Sequence, residues 1–116
     1  MEYTFDVQKD HLILQFEGDL IGENHGPELI SLINDQINND IFFCIIDLSK
    51  IRYINSSGIG VLITILTKFR NRGGDIILIK PSKTVEKLLI ITKLNSIFNI
   101  TETIEDAKEE LKKTNS

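Results

Sequence analysis

A chain of 116 residues and 13.2 kDa, 41% of them hydrophobic, suits one compact domain that buries about two-thirds of the surface its unfolded form exposes, and is too short for two. Thirteen basic against seventeen acidic side chains leave a formal net charge of −4. That balance argues against nucleic acid or an anionic membrane as the main partner, because both attract clustered Lys and Arg, while leaving room for a locally basic face. Cys44 is the single cysteine and lies in the apolar run Ile41 to Ile46, so no intramolecular disulfide is expected and the thiol reads as a small buried apolar group. The opening MEYTFDVQKD lacks a basic region followed by an apolar core, and no apolar run approaches the roughly 20 residues that span a bilayer. The expected location is therefore cytoplasmic, without membrane insertion, where the triplets at Asn55 and Asn99 carry no glycan.

Tyr3, Phe5 and Val7 alternate with polar residues, and after Lys9 and Asp10 the alternation resumes at Leu12, Leu14 and Phe16. Two strands joined in a hairpin follow from that pattern. Gly18, Asp19 and Gly22 break it, and Pro27 suits the first turn of a helix carrying Ile30, Ile33 and Ile37. The run Ile41 to Ile46 has no alternation, as in a central strand covered on both faces. This strand is expected to end at Asp47. Ile59, Leu62, Ile63, Leu66 and Phe69 then mark one face of a second helix, closed by Gly73 and Gly74. Asp75 to Ile79 predicts another buried strand, Pro81 and Ser82 a helix with Val85, Leu88 and Leu89 inward, and residues 97–100 a short strand. Thr103 with Asp106 approximates a capping box for a last helix using Ile104, Ala107 and Leu111, before a frayed tail at 112–116. The order β-β-α-β-α-β-α-β-α predicts an α/β fold: a single mixed sheet with parallel central strands, packed against about four helices.

Few residues have the spacing that catalysis or metal binding needs. Gly58-Ile59-Gly60 lacks the third glycine of a dinucleotide loop, and no phosphate loop ends in Gly-Lys-Ser/Thr. His11 and His25 are not at metal-ligand spacing with each other or with Cys44. No cofactor, metal or catalytic residue is therefore expected. A hydrolase built on Ser57 would need His11 or His25 within reach of the hydroxyl, and its nucleophile segment lacks the leading glycine of an elbow.

The informative stretch is Asp47-Leu48-Ser49-Lys50-Ile51-Arg52-Tyr53-Ile54-Asn55-Ser56-Ser57-Gly58-Ile59-Gly60. It places two serines where a helix begins, so that unpaired N–H groups and the positive end of the helix dipole meet there. A phosphate would be stabilised at that point. Plain capping by Ser56 or Ser57, with Gly58 bringing the helix close to the sheet, accounts for the same residues.

This stretch resembles the signature of the STAS domain in the bacterial anti-sigma-factor antagonist family, where an acidic residue ends a strand and Asp-Ser-Ser/Thr-Gly-Leu-Gly opens a helix. Gly18-Asp19-Leu20, Arg72-Gly73-Gly74 and the leucine-rich Leu88-Leu89-Ile90-Ile91-Thr92-Lys93-Leu94 resemble further family segments in the expected order, over residues 3–111 of one STAS domain spanning 1–116. The resemblance implies a non-enzymatic partner switch. The unphosphorylated protein would bind an anti-sigma factor that is also a serine kinase, phosphorylation of Ser57 (or the preceding Ser56) would release it, and a serine phosphatase would reset it. The state expected in solution is a monomer or weak dimer.

Two positions depart from the family pattern: Asn55 replaces the acidic residue before the serines, removing a negative charge while keeping a side chain that can cap the helix or hold left-handed geometry, and Ile21 with Gly22-Glu23-Asn24-His25-Gly26 makes a glycine-rich loop. Asn55 turns attention to a second reading, a constitutive STAS binding or scaffold module of the stressosome-like or transporter-associated kind. The expected docking surface joins the segment Asp19 to Asn24 with Asn55, Ser56, Ser57, Gly58 and an exposed helical face at Val61 and Ile65. Burial of Val61 and Ile65 under a neighbouring helix is the competing expectation. Asp19 and Asp47 would add negative charge near the serine and position its hydroxyl, or serve only in turn solvation and capping.

Overall fold

The alternating N-terminal pattern forms β1 (Glu2–Val7) and β2 (His11–Leu20), an antiparallel hairpin closed by the Gln8 N–H donating to the His11 carbonyl at 2.8 Å. The remaining strands, β3 (Phe43–Ile54), β4 (Asp75–Ile79) and β5 (Asn99–Thr101), add in parallel, giving one sheet of order β1-β2-β3-β4-β5. Parallel neighbours need crossovers, and these are α1 (Gly22–Asn38), α2 (Ser56–Arg70) and α3 (Lys83–Ile91), with α4 (Ile104–Thr114) following β5. The coordinates are those of a computed structural model, which describes residues 2–114 without the side chains of 22–25, 113 and 114.

The unbroken apolar run of β3 follows from burial on both faces. Cys44, Ile46 and Leu48 enter the large core beneath α1, α2 and α3, whereas Phe43 and Ile45 join Ile77, Ile79, Ala107 and Leu111 beneath α4. At about 25 cal/mol per Å² of apolar surface, such two-sided burial is the main stabilising contribution of these strands. Ser82 and Thr103 cap their helices as the sequence predicts: their hydroxyls accept the N–H groups of Val85 at 3.3 Å and Asp106 at 3.1 Å.

Three boundaries differ from the sequence reading. β3 does not end at Asp47 but runs on to Ile54, because β2 continues beside it as far as the pair Leu20 and Ile54. Register shifts flank Gly18, whose φ of +82° lies in the left-handed region that glycine adopts without strain. The buried residues of this half, Leu48, Ile51 and Ile54, consequently recur every third position instead of every second. The first helix begins at Gly22, so the expected loop at 22–26 is helical and Pro27 lies inside the helix. It costs the helix one N–H donor in its second turn. At the other end α4 extends through Thr114, shortening the expected tail; Asn115 and Ser116 lie outside the described residues.

Candidate functional site

β3 delivers the chain to α2 at Asn55, whose N–H donates to the Leu20 carbonyl at the end of β2, at 3.4 Å. Asn55 is extended, and its Oδ1 accepts the Gly58 N–H at 2.8 Å. The cap therefore comes from Asn55 and not from Ser56 or Ser57, which are the first two residues inside the helix. The Ser57 hydroxyl donates to the same Oδ1 at 2.8 Å. At Gly58 an added Cβ would lie 2.0 Å from the Leu20 carbonyl oxygen, so the absence of a side chain is what lets the first turn rest on β2.

Ser56 is exposed and Ser57 is half-buried, and they open onto different sides of the helix. Ser57 lines a groove of about 630 Å³ between α1 and α2, together with Pro27, Ile30, Gly60 and Thr64. Ser56 and Asn55 line a second groove, of about 600 Å³, bounded by the end of β3, α2 and α3. The start of α2 is thus a ridge with one serine on each flank.

Asp19 stands near this ridge, level with Tyr53 in the sheet register, and its carboxylate accepts both Arg52 Nε at 3.0 Å and Arg52 Nη2 at 3.1 Å. These hydrogen bonds, aided by the guanidinium charge, hold its carboxyl below the usual carboxylate range. Its charge is balanced by Arg52 rather than offered to the serine. Asp47 lies in mid-strand, accepting Gln15 Nε2 at 3.1 Å and the Ser49 N–H at 2.8 Å. Seven residues of extended chain, roughly 23 Å, separate it from Ile54, so it does not position the Ser57 hydroxyl.

Val61 and Ile65 are 8% and 0% exposed, which corrects the expected exposed face. α2 is buried along two stripes: Leu62, Leu66 and Phe69 enter the core, and Val61 and Ile65 join the same cluster because α1 packs alongside α2. Gly26 of α1 faces Val61, and a Cβ there would make ordinary van der Waals contact with Val61 Cγ2 at 3.8 Å. The exposed residues of α2 are Ser56, Gly60, Thr64, Thr67 and Arg70, with Lys68 half-buried. Asn24 is in the first turn of α1 and its side chain lies outside those described.

His11 opens β2 and Leu20 closes it, so the imidazole is about 30 Å of strand away from the ridge and cannot reach the Ser57 hydroxyl. Its Nδ1 is 2.8 Å from Asp10 Oδ1. The side chain of His25 lies outside those described. Among the described residues no group of three or more His, Cys, Asp or Glu could hold a metal, and no helix is long and apolar enough to cross a membrane. Helix capping by Asn55 is among the sequence expectations; the role of Arg52 was missed from sequence. Asn three residues before a glycine at a helix start is a readable capping signal, whereas the Arg52 pairing depends on the shifted register and has no local signature.

Fold and site together define an α/β protein that presents a serine on the first turn of a helix, at a surface ridge between two grooves. Residues 2–107 match the STAS domain, and the chain belongs to that family. It is 29% identical over 94% of its length to a Thermotoga neapolitana protein named as a candidate anti-sigma factor antagonist, of which 96% is covered. The crystal structure of a candidate antagonist from Thermotoga maritima superposes with a TM-score of 0.85 at 28% identity, covering 95% of this chain and 94% of that one. The fold is also that of the anti-sigma factor antagonist SpoIIAA, in its unphosphorylated form (TM-score 0.78, 22% identity, 96% of each chain) and, from Bacillus, in its phosphorylated form (TM-score 0.71, 20% identity, 94% of this chain and 98% of that one).

Proposed function

We propose that the protein is a cytoplasmic, non-enzymatic anti-sigma-factor antagonist switched at Ser57. Unphosphorylated, it binds a partner that is both anti-sigma factor and serine kinase; phosphorylation releases it, and a serine phosphatase restores it. The observation that carries this reading is the Ser57 hydroxyl, accessible on the first turn of α2 and held on Asn55 Oδ1. A phosphate there adds about −1.5 to −2 units of charge at the positive end of a helix, where the fold tolerates it. SpoIIAA, which is known in both phosphorylation states with this fold, is the precedent. At a docked interface the same charge meets desolvation and partner carboxylates, and a few kcal/mol of repulsion lowers affinity by orders of magnitude.

Asn55 supports a second reading, a constitutive STAS binding or scaffold module. A neutral amide accepts the Ser57 hydroxyl but cannot take its proton as a carboxylate could. Incubation with ATP and each serine kinase of the anti-sigma-factor class from the source organism, followed by mass-spectrometric mapping, separates the two. Label on Ser57, absent from Ser57→Ala, is expected for the switch; label on Ser56 moves the acceptor by one residue. A partner that binds tightly and modifies neither serine establishes the constitutive module.

A further inference from the structure

Burial of Val61 and Ile65 removes the apolar contact face expected on α2 and leaves open where a partner makes its apolar contacts. Among the described residues the large exposed apolar side chains are Phe5 and Val7 on the edge strand β1, Tyr53 at the end of β3, Ile90 and Ile91 at the end of α3, and Ile97, whose carbonyl accepts Arg70 at the far end of α2. Of these, Tyr53 and Ile91 share a groove with Ser56. Tyr53 and Ile91, 51% and 77% exposed, line the groove between α2 and α3 with Ile54, Ile59 and Leu88. That groove ends on Asn55 and Ser56, so its lining includes the residue immediately before Ser57, which opens onto the opposite flank.

The charge of this side is opposite to that of the chain. Lys80, Lys83, Lys87 and Lys93 against Glu86 alone give the segment a net of +3, in a protein of net −4. Among the described residues Lys87 is the one charged residue lining the groove. Arg52 is held by Asp19 and is not available in the same way. An apolar groove with an ammonium beside it is complementary to an apolar anchor flanked by carboxylates.

We propose that the α2–α3 groove is the docking surface for the partner, and that it receives a segment in which an aliphatic or aromatic side chain is flanked by Asp or Glu. This rests on the reading of the protein as an anti-sigma-factor antagonist and specifies its contact chemistry. The anchor covers Tyr53, Leu88 and Ile91 while the carboxylates face Lys87. Phosphorylation then acts through charge across the ridge, because a dianion on Ser57 adjoins Ser56, the residue with which the groove reaches the helix start, and repels the carboxylates bound there. The serine need not lie at the bottom of the contact for its phosphate to eject the partner.

The test measures the affinity of the unphosphorylated protein for each purified anti-sigma factor of the source organism, at low and at high salt, with thermal melts confirming that each variant is folded. Lys87→Glu should weaken binding by about tenfold or more and flatten its salt dependence, and Ile91→Ala should weaken it several-fold, about 1 kcal/mol at a contributing contact. Lys112→Glu, on α4 across the sheet, should bind within about twofold of the parent. If Lys87→Glu and Ile91→Ala both bind like the parent while Ser57→Asp does not bind, the switch stands and the groove is not its docking surface. Loss with Ile91→Ala alone overturns the acidic character of the partner segment. Failure of the parent protein to bind any anti-sigma factor overturns this proposal together with the function it rests on.

Discussion

The Ser57 hydroxyl and the Gly58 N–H converge on one acceptor, Asn55 Oδ1, each at 2.8 Å. The residue that caps α2 is therefore also the one that orients the candidate phosphoacceptor. Replacing Asn55 by Ala removes both contacts and should destabilise the fold by about 1 kcal/mol, lowering the melting temperature by about 4 °C. Asn55→Asp keeps an acceptor and places a negative charge at the helix N-terminus, so its melting temperature should equal or exceed that of the parent. Ser57→Ala leaves the cap intact and should shift it less than Asn55→Ala. Calorimetric or circular-dichroism melts of the three variants check the ranking; an unchanged Asn55→Ala melt would show that the cap contributes nothing.

Gly58 and Gly60 are two residues apart in the same helix and predict opposite outcomes. A Cβ at position 58 would lie 2.0 Å from the Leu20 carbonyl oxygen, while one at position 60 meets nothing within 4 Å. Gly58→Ala has to push α2 off β2 and should cost about 3 kcal/mol. Gly60→Ala only reduces the freedom of the unfolded chain and should stabilise by about 0.5–1 kcal/mol. Urea unfolding of both variants provides the comparison, and equal midpoints would contradict the close approach of α2 to Leu20.

How much of this was legible in the sequence depends on whether the signal was local. The doubly buried strands, the order of elements and the caps at Ser82 and Thr103 were readable, because apolar runs and capping residues act within a few positions. The length of β3 was not: its second half is held by β2 alone, across a bulge at Gly18 that converts the expected period of two into a period of three. The fate of Val61 and Ile65 was not readable either. One helix pattern identifies the stripe that faces the sheet, but the second stripe is fixed by α1, whose start at Gly22 was hidden by its glycines and by Pro27. The serines were found from their position at the helix start and their resemblance to a motif; that they open onto separate grooves depends on the packing of α1 and α3 around α2.

The Asp19 and Arg52 pair predicts how acid affects stability. The folded-state carboxyl of Asp19 is lowered by the Arg52 hydrogen bonds, so its contribution is present above the ordinary carboxylate range and is lost as pH falls through the lowered value. Asp19→Asn should therefore be less stable than the parent at neutral pH, with the gap closing on acidification. Added salt should narrow it at neutral pH, because the pair is largely exposed. Urea midpoints from neutral to acid pH test this; a gap that widens on acidification would reverse the sign and reject the assignment.

Cys44 gives a prediction about the integrity of the core. It is 0% exposed in β3, paired with Leu12 on one side and Ile76 on the other, and burial pushes its thiol far above the ordinary cysteine range. Alkylation requires thiolate and access, and the folded protein offers neither. Iodoacetamide at mildly alkaline pH should leave the native protein unmodified over hours and label it fully in guanidinium chloride. Because β3 is central, the opening that exposes Cys44 should approach global unfolding, and the native labelling rate should rise in Gly58→Ala about tenfold for each 1.4 kcal/mol of lost stability. Rapid labelling of the parent without denaturant would mean that β3 opens locally, which its two buried faces do not allow.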